Sequence, residues 1–308
     1  MAGRKGVKII ILRAATIGNL VPAALRDSRE GRVLGRSSHG LFVQLGERQV
    51  LFLSEDPSRG PLTVNLEGSA ASLAALPVGS EVRGNTRRLV LGRSEVTVSL
   101  DGALVWGAPP PTLPADSSAK RASRISALAT DLASHRESES LTLIRAALGS
   151  AEEFASSSQR QRLRCGLALR QSFSRGSLAD ALEASEAMLG AGSGLTPAGD
   201  DVLIGLILML NRWRLRGSMT ESATREFASS VVLRARARTT ALSASLISSA
   251  ASGQAPERLI RLADFIARGT GDQQTCVRDA LAWGNSSGVD ALAGMSLAAT
   301  ALPPSSSQ

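Results

Sequence analysis

The stretch Leu189-Gly190-Ala191-Gly192-Ser193-Gly194-Leu195-Thr196-Pro197-Ala198-Gly199-Asp200-Asp201 gathers residue types that can hold a charged ligand. Glycines at 190, 192 and 194 can take backbone angles closed to other residues and turn their N–H groups toward a bound molecule. Thr196 is of the type that caps a helix start, and Pro197 fits the first helical position, where its missing N–H costs nothing. The apolar run from Val202 onward then forms a buried helix with its positive end facing the glycine loop. A glycine loop feeding a helix start binds anions such as phosphate. No Lys-Ser/Thr pair follows the glycines, so the loop is not of Walker A type. The helical texture before it argues against a nucleotide-binding βαβ unit.

Asp200 and Asp201 admit two readings. Acids in the first turn of a helix complement its dipole. Yet two carboxylates beside an anion loop repel a phosphate unless something intervenes, either a bridging Mg²⁺ or a substrate amide that donates to one of them. Both are therefore candidate catalytic residues and candidate Mg²⁺ ligands. The step of about 100° between them turns Asp200 toward the glycine loop. Asp201, on the face of Gly205, turns toward a neighbouring helix.

A second polar loop, Gly284-Asn285-Ser286-Ser287-Gly288-Val289-Asp290, enters another helix, and Ser287 with Asp290 has a spacing like that of a capping box. The two helices share the pattern Asp-x-Leu-x-Gly, at Asp201, Leu203 and Gly205 and again at Asp290, Leu292 and Gly294. A glycine one turn after each acid lets two backbones approach, so the helices can cross tightly and aim both starts into one site. The third candidate is Arg238-Thr239-Thr240-Ala241-Leu242-Ser243, which reads equally as small residues at a tight contact within one long helix. The candidate ligand-binding set is thus Gly190, Gly192, Gly194, Thr196, Arg238, Thr239, Thr240, Ser286, Ser287, Gly288 and Asp290. His39 and His135 are the only histidines, and neither accompanies a nucleophile motif. His39 falls in a loop or at a strand edge.

The elements that must position these residues differ between the two ends of the chain. Short runs rich in branched and aromatic residues, at 31–35, 40–45, 49–53, 62–66, 81–83, 88–91 and 96–105, predict strands, with a hairpin turn at Gly46-Glu47-Arg48. From 119 onward Ala, Leu and Arg dominate, and helices are expected near 121–134, 138–149, 157–172, 177–189, 198–216, 221–250, 255–268, 273–283 and 288–301. The expectation is an α+β protein. A β-rich N-terminal domain over 1–115, a small antiparallel sheet or barrel, precedes a mainly α-helical domain over 116–302 and a disordered tail over 303–308. Prolines 109–111 and 114 mark the linker.

The chain has 308 residues, 43% of them apolar, enough to bury a sizeable core. Its net charge is +8, but only Lys5, Lys8 and Lys120 are lysines, tyrosine is absent, and aromatics make up 3%. That skew matches a nucleotide-composition bias. The densest basic runs, 160–164, 212–216 and 234–238, are short and separated, whereas nucleic-acid binders cluster their charge among stacking aromatics. Cys165 and Cys276 stand far apart, which argues against a disulfide framework and a structural zinc site. Lys5 and Lys8 precede an apolar run at 9–12 that Arg13 breaks, with no convincing cleavage site behind it. The longest apolar run, 202–210, falls short of the roughly 18 residues of a membrane helix. A soluble, cytoplasmic protein without membrane or nucleic-acid partners is expected.

Taken together, these segments resemble the AllH family. Residues 190–205 are similar to that family's Gly-x-Gly-x-Gly-Leu-Thr-Pro-x-Gly-Asp-Asp-x-Leu-x-Gly signature. Supporting matches are Ile17-Gly18, Gly31-Arg32-Val33, Gly60-Pro61, Arg238-Thr239-Thr240 with Ser243, and Ser287-Gly288-x-Asp290 with Leu292 and Gly294. The chain departs at Asn285, where members often carry His, and at Ser193, commonly Pro. The resemblance implies a subunit of oxamate carbamoyltransferase, active only with AllF-like and AllG-like partners. Its small-molecule ligands would be those of the interconversion of oxalurate plus phosphate with oxamate plus carbamoyl phosphate in purine (allantoin) degradation. The alternative is a non-catalytic structural or regulatory subunit that binds a phosphate-type ligand.

The scattered charge carries a prediction. An anisotropy titration with duplex DNA near physiological salt should show only weak, steeply salt-dependent affinity. Tight binding that discriminates between sequences would overturn this reading of the arginines.

Overall fold

The computed structural model describes residues 10–47, 49–68, 71–93, 96–135, 138–150 and 157–301. The predicted tail over 303–308 and Arg48 of the predicted turn lie outside these residues. The chain divides into two compact units, Met1–Ala108 and Pro109–Gln308.

In the first unit, β1 (Ile10–Gly18), β2 (Glu30–Ser37), β3 (Gly40–Leu45), β4 (Gln49–Ser54), β5 (Thr63–Leu66), β6 (Glu81–Asn85), β7 (Arg88–Leu91), β8 (Val96–Ser99) and β9 (Leu104–Trp106) form one sheet, with short helices α1 (Val21–Asp27) and α2 (Ala71–Ala74). The order is β5-β4-β3-β2-β6-β7-β8-β1-β9, and an antiparallel β5–β1 pairing closes the first eight strands into a barrel. Strict alternation drives this: Leu41, Val43 and Leu45 of β3 point into the core while Phe42 and Gln44 alternate with them. The core is a single cluster of Leu, Val, Ile and Ala from every strand except β9.

Three details differ from the sequence expectation. The apolar run at 9–12 leads into β1, which is parallel to β8 along Ile10 to Arg13 and to β9 along Thr16 to Gly18. Residues 96–105 are therefore two strands, since the edge of β1 changes partner between them. The barrel is also not wholly antiparallel, because β4–β5 and β1–β8 run parallel.

The second unit is helical: α3 (Ser118–His135), α4 (Glu139–Ala147), α5 (Ser157–Arg175), α6 (Leu178–Met188), α7 (Ala198–Arg212), α8 (Glu221–Arg238), α9 (Ala241–Ala251), α10 (Glu257–Arg268), α11 (Gln273–Ala282) and α12 (Ser287–Thr300). Helices α7 and α12 are buried all round, from Gly199 to Leu210 and from Gly288 to Thr300. A helix apolar on every face must lie at the centre of its bundle. Helix α10 is amphipathic. In α10, Leu259, Leu262, Ala263 and Ile266 are buried while Arg261 reaches Asp279 through two bonds of 2.8 and 3.0 Å. Helix α7 ends at Arg212 rather than 216, and Arg214 then takes a positive φ of 56°. The helix expected over 221–250 is broken at Thr239 and Thr240 into α8 and α9.

The basic runs are engaged locally. Arg162 pairs with Glu139, Arg216 with Glu221, and both Arg234 and Arg238 with Glu186. Arg212, its side chain nearly buried, forms a two-bond pair with Asp264 at 2.7 and 2.9 Å, and Trp213 donates to the same carboxylate. Among the described residues no helix is long and apolar enough to cross a membrane.

The tightest contact is where α7 meets α12. A methyl at position 205 would lie 1.9 Å from the Ala291 carbonyl oxygen, and one at 294 would lie 1.8 Å from that of Val202. Backbone, not a flexible side chain, occupies the space. Gly205→Ala and Gly294→Ala should each cost about 1–3 kcal/mol in urea unfolding, as overpacking of a close-packed core does. Unchanged midpoints in both would remove this contact as a determinant of the bundle.

Candidate functional site

The loop from Leu189 to Pro197 joins α6 to α7, and its three glycines have positive φ of 73°, 126° and 92° at positions 190, 192 and 194. Gly190 is held where a side chain would meet the Arg238 carbonyl at 2.5 Å, and at Gly192 one would meet the Ala198 nitrogen at 2.7 Å. The stretch 192–195 is exposed. Among the described residues no hydrogen bond uses the N–H groups of Gly192, Ser193 or Gly194.

Helix α7 starts at Ala198, where its range was expected to begin, but its cap falls one residue later than expected. Pro197, extended at φ −54° and ψ 142°, is the N-cap, and no side chain caps the helix. The Thr196 hydroxyl is instead bonded to that of Ser287 at 3.0 Å. This draws the loop to the start of α12, a tertiary bond displacing a local one. The capping box expected of Ser287 and Asp290 does not form either. Ser286 holds the cap position without a side-chain bond, and Asp290 accepts from the hydroxyl of Ser140 on α4.

The break between α8 and α9 completes the assembly. Thr239 leaves α8 in extended conformation and its hydroxyl donates to Asp200 Oδ2. Thr240 caps α9, accepting the Ser243 N–H at 3.1 Å and donating to the Leu195 carbonyl at 2.6 Å. The starts of α7, α9 and α12 are thereby tied to one loop, and each presents the positive end of a helix.

The two acids occupy different surroundings, as their helical offset required. Asp200 is fully buried, and its Oδ1 accepts the Gly190 N–H at 2.8 Å. Burial raises its pKa, while Gly190, Thr239 and Ser243 pull it down. The Ser243 hydroxyl lies beside it without meeting hydrogen-bond geometry. Asp201, also fully buried, faces Thr196, Ser287 and Asp290. Burial pushes its carboxyl up to about 8, the nearby hydroxyls of Ser287 and Thr196 moderating that and the charges of Asp290 and Asp200 adding to it. One of those hydroxyls donates to the other, and among the described residues neither oxygen of Asp201 has a partner at hydrogen-bond geometry. The carboxylates thus diverge, which does not suit one Mg²⁺ bridging both. Among the described residues no three His, Cys, Asp or Glu side chains group to hold a metal.

Of the other predicted residues, the Arg238 side chain is directed to Glu186 at 3.4 Å, so only its carbonyl meets the loop. Gly288 serves packing, since a methyl there would lie 2.1 Å from the Ala280 carbonyl. His39 lies in an exposed turn of the first unit, and His135 ends α3 against the Asp131 carbonyl. Asn285 is exposed in the loop before α12. Ser140 was not legible, being 150 residues from Asp290 in sequence. Gly199, within the same motif, also serves packing, since a methyl there would lie 2.1 Å from the Met188 carbonyl.

Residues 188–299 match the family described as oxamate carbamoyltransferase subunit AllH. The matched segment begins at the last residue of α6 and contains the glycine loop and the starts of α7, α9 and α12. The resemblance drawn from the signature holds over this segment. No curated protein and no solved structure matches the chain.

The raised carboxyl of Asp201 sets a sign for stability against pH. The folded chain holds this proton up to about pH 8, whereas the unfolded chain releases it near its ordinary value. Between those limits the unfolded state binds fewer protons, so stability falls as pH rises. Buried Asp200 adds in the same direction. With a chelator present, the melting temperature should drop from about pH 5.5 to about 8.5, and Asp201→Asn should flatten the slope and melt higher at the alkaline end. Identical slopes in the two proteins would refute the assignment.

Proposed function

We propose that this chain is an AllH-like subunit of a cytoplasmic carbamoyltransferase complex that interconverts oxalurate plus phosphate with oxamate plus carbamoyl phosphate in allantoin breakdown. The family matched over 188–299 supports the reaction class. AllF-like and AllG-like subunits complete the enzyme, and the phosphate end of the ligand docks on the glycine loop. The observation that carries this reading is the set of uncommitted N–H groups at Gly192, Ser193 and Gly194, exposed beside three helix starts. Such donors bind anions without the desolvation cost of a buried lysine.

In the reaction a phosphate oxygen attacks the carbamoyl carbon. The new C–O bond forms as the C–N bond to oxamate breaks, and the departing nitrogen takes up a proton. Developing charge on the carbamoyl oxygen is stabilised by preorganised backbone donors. Asp200 acts as a positioning residue, because its bonds to Gly190 and Thr239 hold the loop and the α9 start in register.

Inorganic phosphate titrated into the full chain by calorimetry tests the docking. Gly192→Val should weaken binding at least about tenfold, equivalent to ~1.4 kcal/mol. Gly192→Ala, a smaller strain on the fold, should weaken it in the same direction, with melts run on both. Equal affinity in all three proteins would sink the proposal. Phosphate binding without turnover in a complex reconstituted with both partners would instead favour the regulatory subunit.

A further inference from the structure

We propose that Asp201 and Asp290, with the hydroxyls of Thr196 and Ser287, hold a hard divalent cation, Mg²⁺ or Mn²⁺, between the starts of α7 and α12. The inference concerns the same site as the proposed function but does not need its reaction.

An acidic cluster alone would not carry this. The independent observation is that Asp201 is fully buried and, among the described residues, neither of its carboxylate oxygens has a hydrogen-bond partner. Buried carboxylates are ordinarily paired, hydrogen-bonded or metal-bound, because an unsatisfied one loses its hydration for no return. Asp200, the adjacent acid in the same helical turn, shows the ordinary solution, with one N–H and one hydroxyl on its two oxygens. Among the described residues no such partner meets either oxygen of Asp201 at hydrogen-bond geometry. Among the described residues no basic side chain pairs with it, and one of its two nearest hydroxyls is committed to the other.

The groups that face this acid come from every element around it. Helix α12 supplies Asp290 and Ser287, the loop before α7 supplies Thr196, and α7 itself supplies Asp200. Behind Asp290 stands Ser140 of α4, whose neighbour Glu139 is taken by Arg162 of α5. On the α8 side, Arg238 is taken by Glu186. The cluster therefore carries two mutually repelling carboxylates and two hydroxyls, an oxygen-only donor set. Hard cations select such a set, and Mg²⁺ typically takes one or two carboxylates and keeps several waters. That explains how the site can work without a third acid. A single proton would satisfy one direction on one oxygen and leave the rest vacant, whereas a hydrated cation occupies them. The exposed stretch 192–195 adjoining Thr196 provides the entry side.

The test is Mn²⁺ binding to the full chain, read by the loss of the free-ion electron paramagnetic resonance signal, with Mg²⁺ as competitor. Wild type should bind Mn²⁺, release it to Mg²⁺, and melt higher with either ion. Asp201→Asn and Asp290→Asn should each weaken Mn²⁺ by at least the roughly 10–100-fold that even outer partners of a metal site contribute. Glu186→Gln, which removes a surface acid, should bind as wild type does. Asp201→Asn stays close in shape to the protonated acid and removes the carboxylate, so it should fold without metal while losing the metal-induced rise in melting temperature. No Mn²⁺ binding by wild type, or binding indifferent to both substitutions, overturns the proposal. So does a protonated-carboxyl infrared band that persists at saturating Mg²⁺ and vanishes in Asp201→Asn. Because no phosphate or partner protein is present, failure here leaves the carbamoyltransferase reading standing, and failure of phosphate docking leaves the cation site standing.

Discussion

The helical unit depends on one close approach, the contact of α7 with α12 at Gly205 and Gly294. The residue after each acid provides the carbonyl against which the other helix's glycine rests: Val202 faces Gly294 and Ala291 faces Gly205. The arrangement is reciprocal, so one contact fixes Asp201 and Asp290 together. Glycine inside a helix costs about 1 kcal/mol relative to alanine. The two glycines are offset by the burial of both helices over nearly their whole length, where each enclosed Leu or Ile contributes about 1.5–3 kcal/mol. With both helices central, the remaining ones need only a single apolar face.

That packing creates an electrostatic problem as well as a scaffold. It places acids where water is excluded, at the ends of helices whose dipoles favour negative charge. Asp200 is accommodated by the loop it organises, and among the described residues no hydrogen-bond partner accommodates Asp201. The same loop leaves the backbone N–H groups of Gly192, Ser193 and Gly194, in an exposed stretch, without a hydrogen bond among the described residues.

The positive net charge, by contrast, has little to do with the site. The arginines of the three densest runs include members that meet Glu139, Asp264, Glu221 and Glu186 on neighbouring helices. The guanidinium of Arg121, largely enclosed, closes the ends of other segments by donating to the carbonyls of Asp116 and Ala299. An arginine fork does this better than lysine, because its planar donors satisfy two acceptors at once.

The amino-acid sequence by itself determined the division into a β-rich and a helical part, most of the helices, and the close approach of α7 and α12. These are local or periodic properties: alternation in Leu41 to Leu45, a continuous apolar run in α7, and a glycine one turn after each acid. It also determined that Asp200 and Asp201 face different ways, since helical geometry alone requires it. Only the tertiary structure decided the rest. Thr196 gives up a cap to reach Ser287, a bond between residues 91 apart that no local preference encodes. Thr239 and Thr240 end one helix and start another without glycine or proline, because Asp200 and the Leu195 carbonyl offer their hydroxyls better partners than helix backbone does. The Thr240-x-x-Ser243 spacing was a faint sign of that start. Likewise the barrel closes through β1 and β5, which lie about fifty residues apart and share no pattern beyond being apolar. Where a residue's best partner is distant in sequence, local propensity loses to it, and the candidate site is built almost wholly from such residues.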